Sequence, residues 1–239
     1  MEYAKAKTAL EQNGYTTLDN LYTEEEVTHI LNCLEATEEK GNSFSKTKDV
    51  FAIRQLIKNI PDLSALLFTK NLKSLLSELF KSECFLTKAI YFDKPRTSNW
   101  FVAYHQDLSI SVNQRTEVEN YKNWTFKQGQ YGVQPPLHIL ENTITLRVHL
   151  DDTDKNNGAL KVIPKSHHNG IVREPLDLEK KEYCELKKGG VQIMKPLTFH
   201  ASNKTTNGKR RRVIHMEFNT LKLDEPLHWL EYHKLNTTS

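Results

Sequence analysis

Apolar residues in the first third of the chain recur at helical spacing. In YTEEEVTHILNCLEATEEKG, Val27, Ile30, Leu31 and Leu34 share one helical face, Thr23 and Glu26 are spaced as a capping box, and Gly41 supplies a stop. A second helical stretch runs from about Pro61 to Phe80, with Leu63, Leu66 and Leu67 followed by Leu72, Leu75, Leu76 and Leu79. These stripes are packing faces, so residues 1–83 read as mainly helical. From CFLTKAIYF onward the period shortens. Strand-like runs, WFVAYHQDLSISV, NTITLRVHL, ALKVIP, GGVQIM and RRVIHMEF, alternate with the turn-rich segments DKPRTSN, DDTDKNNG, PKSHHNG and TTNGK. Helices followed by many antiparallel strands predict a mainly β jelly roll with a helical buttress, its core over residues 84–220 of a single domain spanning 1–239. The interval 113–142, containing YKNWTFKQGQYGVQPP, breaks the pattern and is expected to form a long, lid-like loop. Trp124 and Gln134 are its candidates for touching a substrate; equally, Trp124 could pack the loop against the barrel.

Composition changes this picture little. A hydrophobic content of 38% supports a substantial core, and the net charge of +3 comes from 33 basic and 30 acidic residues scattered along the chain, so nucleic-acid and membrane partners are not expected. The one dense basic cluster, Lys209 to Arg212, precedes a strand-like run. Cys33, Cys84 and Cys184 are odd in number and widely spaced, which predicts free thiols rather than a disulfide framework or a structural zinc site. Without a leader pattern, a span-length apolar run or a peroxisomal ending, a soluble cytoplasmic protein is expected. The oligomeric state is left open.

The chemistry begins at FVAYHQDLSISV. Side chains alternate along a strand, so His105 and Asp107, two residues apart, would point the same way and could grip one ion. A surface strand can carry such a pair too. A facial triad for non-haem iron needs a second histidine from another strand, and His200, which follows GGVQIM after a short connection, is the candidate. Eleven residues later Arg211 opens the next strand; if it points inward, Arg210 and Arg212 point to the other face and are expected to be solvated. His149 and Asp151 form a rival His-x-Asp, but it runs directly into an acidic turn. His138, His167, His168 and His215 belong to no comparable constellation and read as surface or packing histidines.

Three motifs in order, HQD at His105 to Asp107, LDDTDKNNGALKVIPKSH at Leu150 to His167, and His200-x-Ser202 followed by Arg211, resemble those of the phytanoyl-CoA dioxygenase family over roughly residues 84–220. The N-terminal GYTTLDNLYTEEEV is similar to that family as well. The resemblance implies a double-stranded β-helix of cupin-like type and an oxidoreductase that uses Fe(II), with 2-oxoglutarate and O2 as cosubstrates. It casts His105, Asp107 and His200 as the catalytic iron ligands and Arg211 as the partner of the distal carboxylate of 2-oxoglutarate, a match to the two parallel donors of a guanidinium. It further suggests that Ser202 donates to that carboxylate, that Arg147 meets the cosubstrate, a substrate anion or only a structural partner, and that Lys88 lines the same pocket. Asp107 argues against halogenation, since related halogenases carry a small residue there. The expected reaction hydroxylates an unactivated C–H bond of a small metabolite with release of succinate and CO2; desaturation, epimerisation or cyclisation would use the same cofactors. A metal-dependent hydrolase would leave Arg211 and Ser202 without a reason, and a non-catalytic binding module would not need the triad.

Overall fold

The structure, a computed structural model, describes residues 1–37, 44–46, 51–96, 100–173 and 177–235. Helix α1 (Glu2–Asn13) leads into strand β1 (Tyr15–Leu18), followed by α2 (Glu24–Glu35), β2 (Phe44–Lys46) and β3 (Phe51–Arg54). Three helices come next, α3 (Leu56–Asn59), α4 (Leu63–Leu67) and α5 (Lys70–Phe80). The β-rich part then comprises β4 (Phe85–Lys94), β5 (Val102–His105), β6 (Ile110–Val112), β7 (Lys122–Lys127), β8 (Gln130–Gln134), helix α6 (Leu137–Asn142) and β9 (Ile144–His149). It continues with β10 (Leu160–Val162), β11 (Glu182–Tyr183), β12 (Val191–Met194), β13 (His200–Ser202), β14 (Arg211–Asn219) and β15 (His233–Lys234).

A major antiparallel sheet has the order β1-β12-β9-β14-β4-β3-β2, with β15 also on β4, and a minor sheet has the order β11-β10-β13-β5. Together they form the predicted jelly roll. The capping box is present: the Thr23 hydroxyl accepts from the Glu26 N–H at 3.1 Å and the Glu26 carboxylate accepts from the Thr23 N–H at 2.8 Å. The helix stops at Glu35, and Gly41 lies outside the described residues. The second helical stretch is divided at Thr69, whose hydroxyl caps α5 by accepting from the Leu72 N–H.

Period-two alternation gives the major sheet two unlike faces. Leu146, Val148, Val191, Ile193, Ile214, Met216 and Phe218 join one core cluster with Val27 and Ile30 of α2 and Leu72, Leu75 and Leu76 of α5. The opposite parity, Arg147 on β9 and Arg211, His215 and Glu217 on β14, faces a cavity toward the minor sheet. On β4 the alternation slips once. Glu217 pairs with Lys88 and Phe218 with Leu86, so Thr87 is a bulge residue whose hydroxyl donates to the Glu217 carbonyl at 3.1 Å. The slip sends Leu86 to the helix side while Lys88, Ile90 and Phe92 reach the cavity.

Three expectations are corrected. The N-terminal part is not only a helical buttress, because β1 pairs with β12 and β3 with β4; runs of four residues are too short for periodicity to reveal. FVAYHQDLSISV is not one strand: β5 ends at His105, and the Asp107 N–H turns away to donate to the Pro196 carbonyl at 3.0 Å. Nor is 113–142 a structureless loop. It holds β7, β8 and α6, with β6-β8-β7 forming a third sheet. Positive φ at Gln128 (52°) and Gly129 (74°) makes the two-residue turn that joins β7 to β8, the chemistry hairpins favour. Cys33, Cys84 and Cys184 are free. Among the described residues no helix is long and apolar enough to cross a membrane.

Phe218, with 0% exposure, lies between sheet and helices. Phe218→Ala is expected to lower the unfolding free energy by about 3–5 kcal/mol. Urea denaturation followed by circular dichroism measures this, and a loss below about 1 kcal/mol would show that the interface is loosely packed.

Candidate metal centre

His105 closes β5, His200 opens β13, and the two strands pair so that these residues stand opposite each other. Their rings lie 4.3 Å apart at 50°. Each Nδ1 meets a main-chain carbonyl two residues earlier: Ala103 at 2.9 Å for His105 and Thr198 at 2.8 Å for His200. A carbonyl only accepts, so each Nδ1 carries the proton and each Nε2 presents a lone pair. Both Nε2 atoms face Asp107, at 3.5 Å from Oδ1 for His105 and 3.6 Å from Oδ2 for His200. Two neutral imidazole acceptors around a carboxylate repel unless a cation sits among them. The three donor groups lie within 4.8 Å of one another, and a pair of histidines with one carboxylate is the donor set of non-haem iron(II), so the residues fit the expected metal.

The electrostatics agree. Burial works to raise the Asp107 carboxyl, but the surrounding histidines, His200 foremost, outweigh it and hold it well below the ordinary carboxylate range. Burial lowers His200 to about 4, keeping it neutral, while the Asp107 carboxylate, ready to accept from a protonated Nε2, raises His105 above its ordinary value despite partial burial. The rival pair is otherwise engaged. Asp151 binds the Arg212 guanidinium, with Nη2 to Oδ1 at 2.7 Å and Nε to Oδ2 at 3.0 Å, and His149 Nδ1 meets the Thr153 hydroxyl at 2.7 Å.

A cavity of about 330 Å³ opens beside the triad. Arg211, buried, reaches in from β14; its Nη1 donates to the Gly158 carbonyl and its Nε has no partner. Gly158 holds φ 89°, and a Cβ there would come within 2.9 Å of the Asn203 carbonyl and the Lys94 ammonium. Burial, with Arg147 adding repulsion, pushes Arg211 down to about 9. Ser202 also lines the cavity. Arg147 is half-buried, its Nε sealed without a partner and its Nη1 donating to His215 Nδ1 at 3.3 Å. Arginine only donates, so His215 is neutral and its Nε2–H donates to Glu217 at 3.0 Å. Lys88 completes the chain, its ammonium 2.8 Å from Glu217 and 3.2 Å from the Ser109 carbonyl. Further orphaned atoms, Thr145 Oγ1, Gln192 Oε1 and His149 Nε2, belong to the neighbouring strands β9 and β12. Such a concentration of unmet hydrogen bonds marks a wall built for a polar ligand.

Sequence reasoning thus finds the triad, Arg211, Ser202, Arg147 and Lys88 around one cavity. Trp124 and Gln134 are not among its lining residues: Trp124 packs against the apolar cluster around Ile110 and Val133, and Gln134 accepts from the Asn123 amide at 2.7 Å. Ser111 and Gln130 of the third sheet reach the cavity in their place. His215 is not a mere packing histidine, a role missed although it shares the parity of Arg211. Nor are the flanking arginines simply solvated. Arg212 grips Asp151 in the turn after β9, and Arg210 grips Asp93 near the end of β4 through Nε at 2.8 Å and Nη2 at 2.5 Å, so each has an acidic partner on a neighbouring segment.

The family model Phytanoyl-CoA dioxygenase (PhyH) matches residues 10–213. No match is found among curated protein sequences. Among solved structures, the non-heme alpha ketoglutarate dependent epimerase SnoN from nogalamycin biosynthesis shares 14% identity at a TM-score of 0.69, over 92% of this chain and 84% of that one. The non-heme alpha ketoglutarate dependent carbocyclase SnoK from the same biosynthesis shares 15% at 0.65, over 91% and 84%. HygX from Streptomyces hygroscopicus, with nickel and 2-oxoglutarate bound, shares 12% at 0.66, over 96% of both chains. These similarities establish a common fold, and the family match, spanning most of the sequence and carrying the ordered motifs described above, places this chain in the phytanoyl-CoA dioxygenase family of Fe(II)- and 2-oxoglutarate-dependent oxygenases.

Proposed function

We propose that this protein hydroxylates an unactivated C–H bond of a small-molecule metabolite in the cytoplasm, consuming 2-oxoglutarate and O2 and releasing succinate and CO2. The observation that carries the reading is the meeting of two imidazole Nε2 lone pairs and a carboxylate, with both Nδ1 protons tied to main-chain carbonyls. When bound there, iron(II) with its cosubstrates supplies the oxidising power that no side chain has.

The protein's part is to bind, orient and exclude. His105, Asp107 and His200 would hold the metal, and the cavity beside them would admit its other ligands. Arg211 offers a desolvated guanidinium to the distal carboxylate of 2-oxoglutarate, where the low dielectric strengthens the pair, and Ser202 adds a hydroxyl donor. Arg147, held by the His215 ring, places a second positive charge close to Asp107 and steadies the anionic contents of the chamber. Lys88 serves less directly, since Glu217 already neutralises it. The same residues would serve desaturation, epimerisation or cyclisation, and product analysis across a metabolite panel with succinate readout separates these outcomes.

Anaerobic addition of Fe(II) and then 2-oxoglutarate is expected to give a visible charge-transfer band in the wild type that is lost in His105→Ala. A normal band in the variant would remove His105 from the site. Replacing Arg211 with Ala removes charge-assisted hydrogen bonds worth about 1.5–3 kcal/mol, so 2-oxoglutarate should bind about 10- to 150-fold more weakly with Co(II) affinity retained; titration of the Co(II)-loaded protein tests both. Metal affinity depends on acid. His105 is the ligand whose proton is held above the ordinary 6.5, so on acidification Co(II) affinity should already be falling when pH 6.5 is reached and should keep falling below it. Competition by His200 joins only near pH 4, and an affinity flat between pH 7 and 5 would contradict the assignment.

A further inference from the structure

Arginines around the cavity fall into two groups. Arg210 and Arg212 grip Asp93 and Asp151. Arg54, Arg147 and Arg211 have no carboxylate in ion-pair contact among the described residues, and each leaves a buried guanidinium nitrogen without an acceptor. Under the function proposed above, 2-oxoglutarate accounts for the deep part of the chamber: one of its carboxylates goes to the metal and the other to Arg211, with Arg147, held by His215 and close to Asp107, serving the same anion. Arg54 remains.

Its position differs from that of the other two. Arg54 ends β3, opposite Ile90 of β4, and so reaches the cavity from an outer strand of the major sheet that the N-terminal part of the chain supplies. It lines the metal-side chamber and also an adjoining outer cavity of about 560 Å³, and the two share Arg54, Lys88, Ser111 and Gln130. Arg54 therefore stands at the junction between the metal chamber and the space where a primary substrate enters. Its Nη1 is sealed from solvent with no hydrogen-bond partner, and no acidic group compensates its burial.

Charge in the chamber points the same way. Arg54, Lys88, Arg147 and Arg211 line it against Asp107 and Glu217, while Asp93, which also lines it, is matched by Arg210 outside. Iron(II) and the 2-oxoglutarate dianion cancel each other, which leaves the loaded chamber with surplus positive charge.

We propose that Arg54 anchors an oxyanion group of the primary substrate, so that the substrate is a small molecule bearing a carboxylate, phosphate or sulfate, held at the junction with the hydroxyl of Ser111 and the amide of Gln130 beside it. This assignment rests on the oxygenase reading for what fills the inner chamber, while Arg54 itself is read from its own surroundings. A guanidinium presents two parallel donors to an oxyanion, and fixing the anion at the junction leaves the remainder of the substrate to extend toward the metal.

The test uses the full chain loaded anaerobically with Fe(II) and 2-oxoglutarate, so that Arg211 is already occupied. Calorimetric titrations with acetate, inorganic phosphate and inorganic sulfate, run on wild type, Arg54→Gln and Arg54→Lys, distinguish the oxyanions. At least one should bind the wild type in the millimolar range or tighter, at least tenfold more weakly to Arg54→Gln, and with intermediate strength to Arg54→Lys. Because Arg54 makes no side-chain bond within the described protein, the charge-transfer band of the variants should match wild type. Absence of binding by all three anions to wild type, or equal binding to Arg54→Gln, overturns the anion anchor. An absent band in wild type overturns the oxygenase reading instead, and the anion titrations still decide the role of Arg54.

Discussion

Two short hydrogen bonds, from His105 Nδ1 to the Ala103 carbonyl and from His200 Nδ1 to the Thr198 carbonyl, set the chemical character of this protein. Each reaches back two residues along the chain, and each fixes the tautomer that leaves Nε2 bare. Because β5 and β13 pair with the two histidines opposite each other, the lone pairs converge on Asp107. Were either ring free to flip, the centre would lose a ligand without losing a residue. The scaffold's first task is thus to hold two imidazoles in an orientation that is costly in the absence of a cation, which stable packing elsewhere makes tolerable.

That packing comes from the division of the major sheet. One face meets α2, α4 and α5 through aliphatic side chains, and the other carries arginine, histidine, glutamate and lysine. Charged groups on the second face survive burial because they are chained, Lys88 to Glu217 to His215 to Arg147. The chain of partners ends on Arg147, and Arg147 and Arg211 each keep an Nε with no acceptor.

The candidate metal ligands are legible in the sequence for a simple reason: histidine and aspartate at fixed short spacing are distinctive, and Arg211 opens the strand that follows His200. The helices were legible because Leu72, Leu75, Leu76 and Leu79 repeat at helical spacing and Thr23 with Glu26 spells its cap. Other features depend on contacts that no local pattern encodes. His215 and Glu217 gain meaning only once Arg147 and Lys88 are beside them on adjacent strands. Arg54 ends a strand of four residues, invisible to periodicity, and Trp124 looked like a pocket aromatic because its apolar neighbours Ile110 and Val133 lie on other strands. Asp107 was identified by the right motif with the wrong geometry, since the strand ends before it.

The bulge at Thr87 makes β4 change phase in mid-strand. Upstream of it the even-numbered Leu86 belongs to the oily side; downstream the even-numbered Lys88, Ile90 and Phe92 belong to the wet one. Deleting Thr87 would restore simple alternation with Leu86 still on the oily side and Lys88 still on the wet one, so the strand carries one residue more than its facing pattern needs. What the extra residue supplies is the hydroxyl that donates to the Glu217 carbonyl, a tie placed where the strand passes from lining the core to lining the chamber.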